Sequence, residues 1–378
     1  MTNLKKIIFS ISTLTGTIIG VGLFSLPYIA SKVGFWVMLG YFFVLGILII
    51  LIHLFFGELA LETPDYKRLP GFAKIYLGKW GEKVTFFTTI VGLFGVILAY
   101  LIVGGQFLTE LLRPIFGGEN IFYTLFYFAL GASFIYFGIK TITKVEFLGL
   151  ILFFLILILI FFRGKHLINI ENLFLTNNQI LPYFFLPYGA VLFSLWGATL
   201  IPEIEEILGE QKRIIKKIIP IAILIPIIVY LFFIYLILGI TGAQTTESAL
   251  IGLRNFLGNG IVSLGLFFGT LTTFTSFITL GLTLKKVFWY DLKIKKNLAW
   301  LITCFPPLIL FFIGIKSFIP VICFVGGVML GIEGILILLM YRKLQLKTQI
   351  SKTKAFLITF LILILLTGVI YEIIYFIK

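Results

Sequence analysis

Charged residues are scarce in this 378-residue chain, at 12% of the total, whereas soluble domains carry about 25%. Hydrophobic residues make up 60%, which is more than the interior of a soluble fold can hide. This balance excludes an ordinary soluble domain and indicates a protein whose solvent is lipid. Because a helical span needs about 20 apolar residues, residues 1–378 have room for roughly ten to twelve spans in a single membrane domain.

Histidine and cysteine are equally sparse, with two of each. His53 and His166 have no Cys, Asp or Glu at metal-ligand spacing. Cys304 and Cys323 lie inside apolar runs, where a structural disulfide is not expected. The sequence has no H-E-x-x-H motif, nucleophile elbow or Walker loop. Catalysis within lipid requires several titratable groups that converge, so we predict neither an enzyme nor a catalytic residue.

Acidic residues number 16 against 30 lysines and arginines, which gives a net charge of +14. In a soluble protein this excess would suggest nucleic acid. In a membrane protein it indicates cytoplasmic loops that face anionic lipid, so we predict membrane lipid and not nucleic acid as a partner. Lys5 and Lys6 precede an apolar run that continues to about Ala30. A cleaved signal peptide is the alternative for this run, but its apolar core would span only 7–15 residues.

Hydropathy predicts eleven spanning segments, numbered in chain order: 7–31, 35–60, 84–112, 121–139, 145–162, 181–208, 215–240, 258–284, 297–314, 318–341 and 355–377. When the N-terminus is placed in the cytoplasm, most lysines and arginines fall in cytoplasmic loops, as the positive-inside rule requires. Eleven spans then place Lys378 outside. The loop 67–83 is suited to an interfacial helix and the loop 241–260 to a lid, with a solvated connector as the alternative for each.

Interrupted helices are the most informative pattern, because non-helical backbone at membrane depth must line a cavity or a binding site. Segment 1 carries Gly16, Gly20, Gly22 and Pro27, and segment 6 contains Phe193-Ser194-Leu195-Trp196-Gly197 between prolines. An opening at Gly20 exposes N–H groups to a carboxylate and carbonyls to an ammonium or sodium ion. Tight glycine packing is the alternative for one break alone. Paired breaks predict an inverted-repeat transporter, with repeats at 7–162 and 181–341 and an extra helix at 355–377.

Hydroxyl groups crowd segment 8, in Thr270, Thr272, Thr273, Thr275, Ser276 and Thr279. They either bond to the carbonyls of their own helix or form a sodium site in which Thr275 and Ser276 act with the carbonyl of Thr272. Glu333 is a candidate for proton coupling or gating, and a structural ion pair near Arg342 is the alternative. Glu203 belongs to an acidic cluster with Glu205 and Glu206 beside Lys212 and Arg213. This cluster is a candidate inner gate, and an ion-pair cluster of the loop is the alternative.

The run GTIIGVGLFSLP at 16–27 resembles the signature of the amino acid–polyamine–organocation superfamily, closest to the amino acid/auxin permeases and the hydroxy/aromatic amino acid permeases. The stretches LPGFAKIYLGKWGEK, AYLIVGGQFL, GIKTITKVE and FSLWGATLIPEIEEIL follow in the order these families have, within residues 7–340. The resemblance implies an all-α LeuT-like fold of 5+5 inverted repeats with broken helices 1 and 6. It also implies sodium- or proton-coupled amino-acid uptake. Segment 5 has no mid-helix lysine like that of some proton-coupled relatives, which favours sodium or another proton acceptor.

The same resemblance assigns site residues. The substrate contacts that it implies are Thr17, Ile19, Gly20, Val21 and Gly22 in segment 1, Tyr100 in segment 3, and Phe193, Ser194, Trp196 and Gly197 in segment 6. Its sodium position maps onto the carbonyls of Gly16 and Ile19 and the hydroxyls of Thr275 and Ser276. No other cofactor is implied.

We therefore predict a monomeric, cation-coupled amino-acid symporter of the plasma membrane that works by alternating access. The aromatic residues Phe24, Tyr100, Phe193 and Trp196 favour a hydrophobic or aromatic substrate, but aromatics make up 17% of the whole chain, so other neutral amino acids stay open. The alternatives are a transport-inactive sensor or interaction protein on the same fold, and a proton-coupled carrier of another small organic solute.

Overall fold

The computed structural model describes residues 3–64, 67–138, 142–174, 180–346 and 351–377, and the regular structure within them is helical. The α-helices in these residues are α1 Asn3–Ile18, α2 Leu26–Val33, α3 Phe35–Glu62, α4 Leu69–Leu77, α5 Lys79–Phe116, α6 Asn120–Phe137, α7 Ile142–Gly164, α8 Ile180–Tyr183, α9 Leu186–Leu195, α10 Ile201–Leu208, α11 Ile215–Thr241, α12 Arg254–Leu257, α13 Asn259–Lys286, α14 Lys296–Phe312, α15 Phe318–Phe324, α16 Gly331–Leu346 and α17 Lys352–Ile377. All eleven predicted segments coincide with these helices. The predicted end of segment 4 at Ile139, and Lys378, lie outside the described residues.

The all-α membrane fold is confirmed. By length and composition, seven helical stretches of the described residues can cross a membrane, or eight if the bent pair α1 and α2 counts as one span. The number of eleven crossings stays a prediction. With 38 residues, α5 is about 57 Å long at 1.5 Å per residue, so it extends beyond a hydrocarbon core of about 30 Å.

Segment 1 is broken where the glycines predict it. Ile19 and Gly20 are not helical, Gly20 is extended (φ −124°, ψ −154°), and a 3₁₀ turn at Val21–Ser25 leads into α2. The two half-helices are bent by 46°. A Cβ on Gly20 would lie 2.5 Å from the Tyr100 hydroxyl oxygen, which explains why the residue at this break is glycine.

Segment 6 is broken in the same way. It starts with the short helix α8, and α9 then ends at Leu195. Trp196 is extended (φ −76°, ψ 124°), and a 3₁₀ turn at Ala198–Leu200 leads into α10. Pro187 and Pro202 each lie in the first turn of a half-helix, where the missing N–H has no helical partner to lose. Both predicted breaks are therefore confirmed.

Segment 10 is continuous but irregular, because a π-helical stretch, Val325–Leu330, joins α15 to α16. Such stretches are frequent at functional sites. Its glycines allow close packing: a Cβ on Gly326 would collide with the carbonyl oxygen of Gly189 in α9. Helix α17 packs against α16 and this stretch.

The two loops singled out in the sequence are folded onto the bundle. In the first, Leu69, Phe72, Ala73 and Leu77 of α4 are buried, and α4 packs against α5 and α16. In the second, 3₁₀ turns and α12 bury Leu250 and Leu253 almost completely. A solvated connector is therefore the wrong description of both loops.

Candidate binding site

The two helix breaks lie against each other in the interior of the protein. A Cβ on Gly22 would meet the Ser194 hydroxyl oxygen and lie 3.0 Å from Phe193 Cδ1. A Cβ on Gly197 would lie 2.8 Å from Leu14 Cδ1 and 2.9 Å from Ile18 Cγ1. Glycine at both positions lets the backbones of the two breaks approach.

Tyr230 of α11 joins the two breaks. Its hydroxyl oxygen lies 2.6 Å from the Ile18 carbonyl oxygen and 2.9 Å from the Ser194 carbonyl oxygen, and its side chain is fully buried. A tyrosine hydroxyl has one proton, so it donates to one of these carbonyls at a time. Tyr230 is not among the residues predicted from the sequence. The available signal was a tyrosine in an apolar span, whose buried hydroxyl must find a partner.

Tyr100 of α5 holds the start of the second half of segment 1. The Val21 N–H donates to its hydroxyl at 3.2 Å. The side chain of Tyr100 is only 6% exposed. Tyr100 therefore lies beside the first break, and its contact with a substrate stays a prediction.

His53 of α3 holds the break in segment 6. The Gly197 N–H donates to His53 Nε2 at 3.0 Å, and His53 Nδ1 donates to the Ile49 carbonyl at 2.8 Å. This pair of bonds requires the neutral ring with its proton on Nδ1. The ring also packs edge-on against Trp196, with centroids 5.3 Å apart. This role of His53 is not predicted from the sequence, where its neighbours exclude only a metal site.

A small cavity lies beside the break in segment 1. It is lined by Ile19, Gly20, Val21, Leu23, Phe24, Tyr100, Phe153, Thr272, Thr273 and Ser276. Its volume of about 20 Å³ holds about one water molecule. Phe24 closes it with an aromatic cluster, since its ring packs edge-on against Phe107, Phe153 and Phe233 at centroid distances of 4.9, 5.5 and 6.3 Å. Phe153 and Phe107 were not predicted.

The predicted site residues are only partly brought together. Ile19, Gly20, Val21, Tyr100, Thr272 and Ser276 share the cavity, and Gly22 contacts Phe193 and Ser194. Thr17 is exposed in the last turn of α1. Gly16 and Thr275 are not among the residues that line the cavity.

The hydroxyls of α13 bond to carbonyls of their own helix. Thr275 donates to the Thr272 carbonyl at 3.0 Å, Thr272 to Phe268 at 3.0 Å, and Thr273 to Gly269 at 2.8 Å. Thr272, Thr273 and Thr275 therefore form hydrogen bonds within their own helix, which was the alternative to a sodium site. A hydroxyl that donates its proton still presents lone pairs, so a cation site beside Thr272 and Ser276 stays a prediction.

Glu333 of α16 is buried beside the second break. Its Oε1 accepts a hydrogen bond from Thr89 at 2.9 Å and lies 3.5 Å from the Thr88 hydroxyl. Its Oε2 is buried close to the indole N–H of Trp196, and neither atom has a hydrogen bond of normal length and angle among the described residues. Hydroxyl groups of α5, and not Arg342, therefore bind this carboxyl group.

Ion pairs join helices at both ends of the bundle. At the end that holds the start of α1, Lys216 lies 2.8 Å from Glu58, which also accepts from the Tyr341 hydroxyl. At the opposite end, Arg254 of α12 pairs with the Glu110 carboxylate and donates to its carbonyl at 2.6 Å.

In the acidic cluster of α10, Glu205 forms the ion pair, whereas Glu203 is the residue predicted to act as a gate. Glu205 is buried and lies 2.9 Å from Lys212. Glu203, the predicted gating residue, is exposed. Its gating role stays a prediction.

Two helix breaks that contact each other in the interior, with a small cavity beside the first, are typical of a membrane carrier. A sequence profile of the tryptophan/tyrosine permease family matches residues 3–375. The chain belongs to this family. Its members are permeases and not enzymes, and the amino-acid permease resemblance of the sequence motifs is confirmed.

One relative within this class of carriers is the tyrosine-specific transport system 1 of Haemophilus influenzae (strain ATCC 51907 / DSM 11121 / KW20 / Rd). It is 29% identical over 143 residues, which are 38% of this chain and 35% of that protein. The alignment thus spans little more than a third of the relative's length.

Solved structures show the fold. MhsT in complex with L-phenylalanine gives a TM-score of 0.59 at 16% identity, over 97% of this chain and 98% of that chain. Mhp1, a nucleobase-cation-symport-1 family transporter, gives 0.63 at 12% identity in a closed conformation with bromovinylhydantoin bound, over 87% of this chain and 76% of that chain. Its inward-facing conformation gives 0.64 at 12% identity, over 97% and 88%. The LeuT-like fold predicted from the sequence is confirmed.

Proposed function

We propose that this permease couples the uptake of an aromatic or other hydrophobic amino acid to a cation gradient. The observation that carries the proposal is the contact between the two helix breaks, which places backbone N–H and carbonyl groups without helical partners around one buried site. Family membership supports an aromatic substrate. So do tyrosine and L-phenylalanine, which are named for the relative and for a solved structure of the same fold.

The two ends of a zwitterion fit different sides of the breaks. The N–H groups at the start of the second half of segment 1, beginning with Val21, suit the carboxylate, because a helix N-terminus carries a positive partial charge. The carbonyls of Ile18 and Ser194, which now share the Tyr230 hydroxyl, suit the ammonium. The rings of Phe24 and Phe153 on the cavity wall suit an apolar or aromatic side chain.

Substrate binding requires movement, since the cavity of about 20 Å³ is far smaller than an amino acid. The ion pairs Lys216–Glu58 and Arg254–Glu110 lie at opposite ends of the bundle. We propose that they are the inner and outer gates of an alternating-access cycle and that each breaks when its end opens.

Two sites are candidates for the coupling ion. Sodium would bind between the carbonyls of Gly16 and Ile19 and the α13 residues Thr272, Thr275 and Ser276, because a hard cation prefers oxygen ligands. A proton would bind at Glu333, which is buried against Thr88, Thr89 and Trp196. Uptake measured with each gradient alone distinguishes the two ions.

The proposal is tested with the purified full-length protein in liposomes, using labelled tyrosine, tryptophan and phenylalanine under separate sodium and pH gradients. We expect uptake and counterflow of at least one of them. Gly22→Val is expected to abolish both, because its side chain enters the space of Ser194 and Phe193. Gly40→Val is the matched control, since a Cβ on Gly40 has no atom within 4 Å.

Absence of both uptake and counterflow for every amino acid would contradict transport. A substrate-induced rise in melting temperature without transport would then identify the sensor alternative. We further propose that the protein is a monomer of the plasma membrane with its N-terminus in the cytoplasm, as the distribution of basic residues predicts.

A further inference from the structure

A seam of glycines lies where α9, α17 and the π-helical stretch meet. It consists of Gly189, Gly326 and Gly327. A Cβ on Gly189 would lie 2.5 Å from the Cys323 carbonyl oxygen, and a Cβ on Gly326 would collide with the Gly189 carbonyl. The backbone of the half-helix that carries the second break is therefore in direct contact with segment 10 along this glycine seam.

The carboxyl group of Glu372 from α17 enters the glycine seam. The residue is 2% exposed, and its Oε1 is buried with no hydrogen bond of normal geometry among the described residues. The backbone N–H of Gly189 faces the carboxyl group. A Cβ on Gly189 would lie 2.6 Å from this Oε1, and a Cβ on Gly327 would lie 2.9 Å from Glu372 Cδ. Only glycine on both neighbouring helices leaves space for the carboxyl group.

No cationic side chain of the described residues acts on Glu372. The titratable groups that face it are Tyr41 of α3, Tyr188 of α9, Cys323 of α15, and Tyr371 and Tyr375 of α17 itself. Within the described residues it has no ion pair, in contrast to Glu58, Glu110 and Glu205. A charged carboxylate without a partner is unfavourable in such a place.

We propose that Glu372 is a proton-binding site that controls the half-helix α9. With its proton bound, the neutral carboxyl group stays in the glycine seam and holds α9 against α17 and segment 10. Loss of the proton leaves an unpaired charge there, so the carboxylate leaves the seam and α9 is released. Because α9 ends at the second break, proton binding acts on the position of Ser194 and Trp196. The role in transport rests on the proposed function; proton binding itself does not.

Proton binding is tested first by infrared difference spectroscopy of the purified full-length protein between acidic and alkaline buffer. We expect a protonated-carboxyl band in the wild type that is missing in Glu372→Gln and present in Glu372→Asp. Glu333→Gln, which removes the other buried acid with an unpartnered oxygen, is the matched control and is expected to keep this band. A spectrum of Glu372→Gln with every wild-type band would overturn the proposal.

The effect on transport is tested with the same variants in liposomes. For Glu372→Gln we expect tyrosine uptake driven by a pH gradient to fall about tenfold or more, while tyrosine counterflow stays within about twofold. If Glu372→Gln lost uptake and counterflow equally, or kept wild-type uptake on the pH gradient, the proposal that Glu372 controls α9 would be overturned. A wild type that transports nothing would instead contradict the proposed function, and the infrared result would still decide whether Glu372 binds a proton.

Discussion

At the two breaks, backbone N–H and carbonyl groups lack helical partners. Side chains from unbroken helices form hydrogen bonds with them. Tyr100 of α5 accepts from Val21, His53 of α3 accepts from Gly197, and Tyr230 of α11 serves two carbonyls. A buried backbone group without a partner destabilises a fold by about 1–3 kcal/mol. These three side chains therefore make the broken conformation stable in a place where water is scarce.

Tyr230→Phe tests this at a single atom. The change removes the hydroxyl shared by the carbonyls of Ile18 and Ser194 and leaves the ring in place. We expect a loss of stability of about 1–3 kcal/mol, seen as a lower melting temperature in detergent. Tyr235→Phe in the same helix is the matched control, because no hydrogen bond of its hydroxyl is described. Equal melting temperatures for the two variants would contradict the bridging role.

His53→Leu removes the acceptor of the Gly197 N–H at similar side-chain volume. We expect a destabilisation of the same size, about 1–3 kcal/mol, together with weaker tyrosine binding, because Gly197 belongs to the second break. Binding and melting temperature are measured on the same preparation. His166→Leu, at an exposed position, should leave both unchanged. If the two histidine variants behave alike, His53 does not support the break.

At the scale of helices, the sequence predicted the breaks but not what holds them. Gly20, Gly22, Pro187 and Pro202 are visible in the sequence, and lipid gives such residues in a span a definite meaning. Tyr230 bonds to Ile18 across 212 positions, and no local pattern marks a contact of that kind. The sodium site was predicted from the hydroxyls of segment 8, and those of Thr272, Thr273 and Thr275 donate to carbonyls of their own helix. Helical back-bonding and ion binding use the same residue types, so the sequence alone does not separate them.

The outer gate is tested by a double-mutant cycle on Arg254 and Glu110. We expect Arg254→Ala and Glu110→Ala to change the rate of tyrosine uptake by similar factors. The double variant is expected to transport at nearly the same rate as either single variant. This corresponds to a coupling energy of about 0.5–3 kcal/mol. The exposed pair Lys74–Glu82, at 3.1 Å, is the control and should give about 0–1 kcal/mol. Additive effects at Arg254 and Glu110 would show that the pair is not a gate.

At the scale of the whole molecule, composition predicted a membrane protein, glycine and proline placement predicted the two helix breaks, and the resemblance of the sequence motifs implied the LeuT-like fold. The buried position of Glu372 was not predicted, because the sequence pattern places segment 11 outside the two repeats. Its importance depends on packing against Gly189 and Gly327, which are distant in sequence. Only the folded chain brings these residues together.

The orientation of the bundle is tested at the two ends of α5. Lys79→Cys and Glu119→Cys are both exposed positions, and the native Cys304 and Cys323 are buried. In intact cells, a membrane-impermeant maleimide is expected to label Glu119→Cys and not Lys79→Cys. The reverse pattern would place the N-terminus outside and contradict the assignment made from basic residues.

The single proton of Tyr230 has a consequence for turnover. Its hydroxyl lies within hydrogen-bond distance of the carbonyls of Ile18 and Ser194, so in the proposed binding mode an incoming ammonium would displace a hydrogen bond that already exists. Binding is then an exchange of one donor for another, with a small net change in free energy. When the substrate leaves in the proposed cycle, the Tyr230 hydroxyl would donate again to one of the two carbonyls, and the empty carrier would change its conformation with that carbonyl paired.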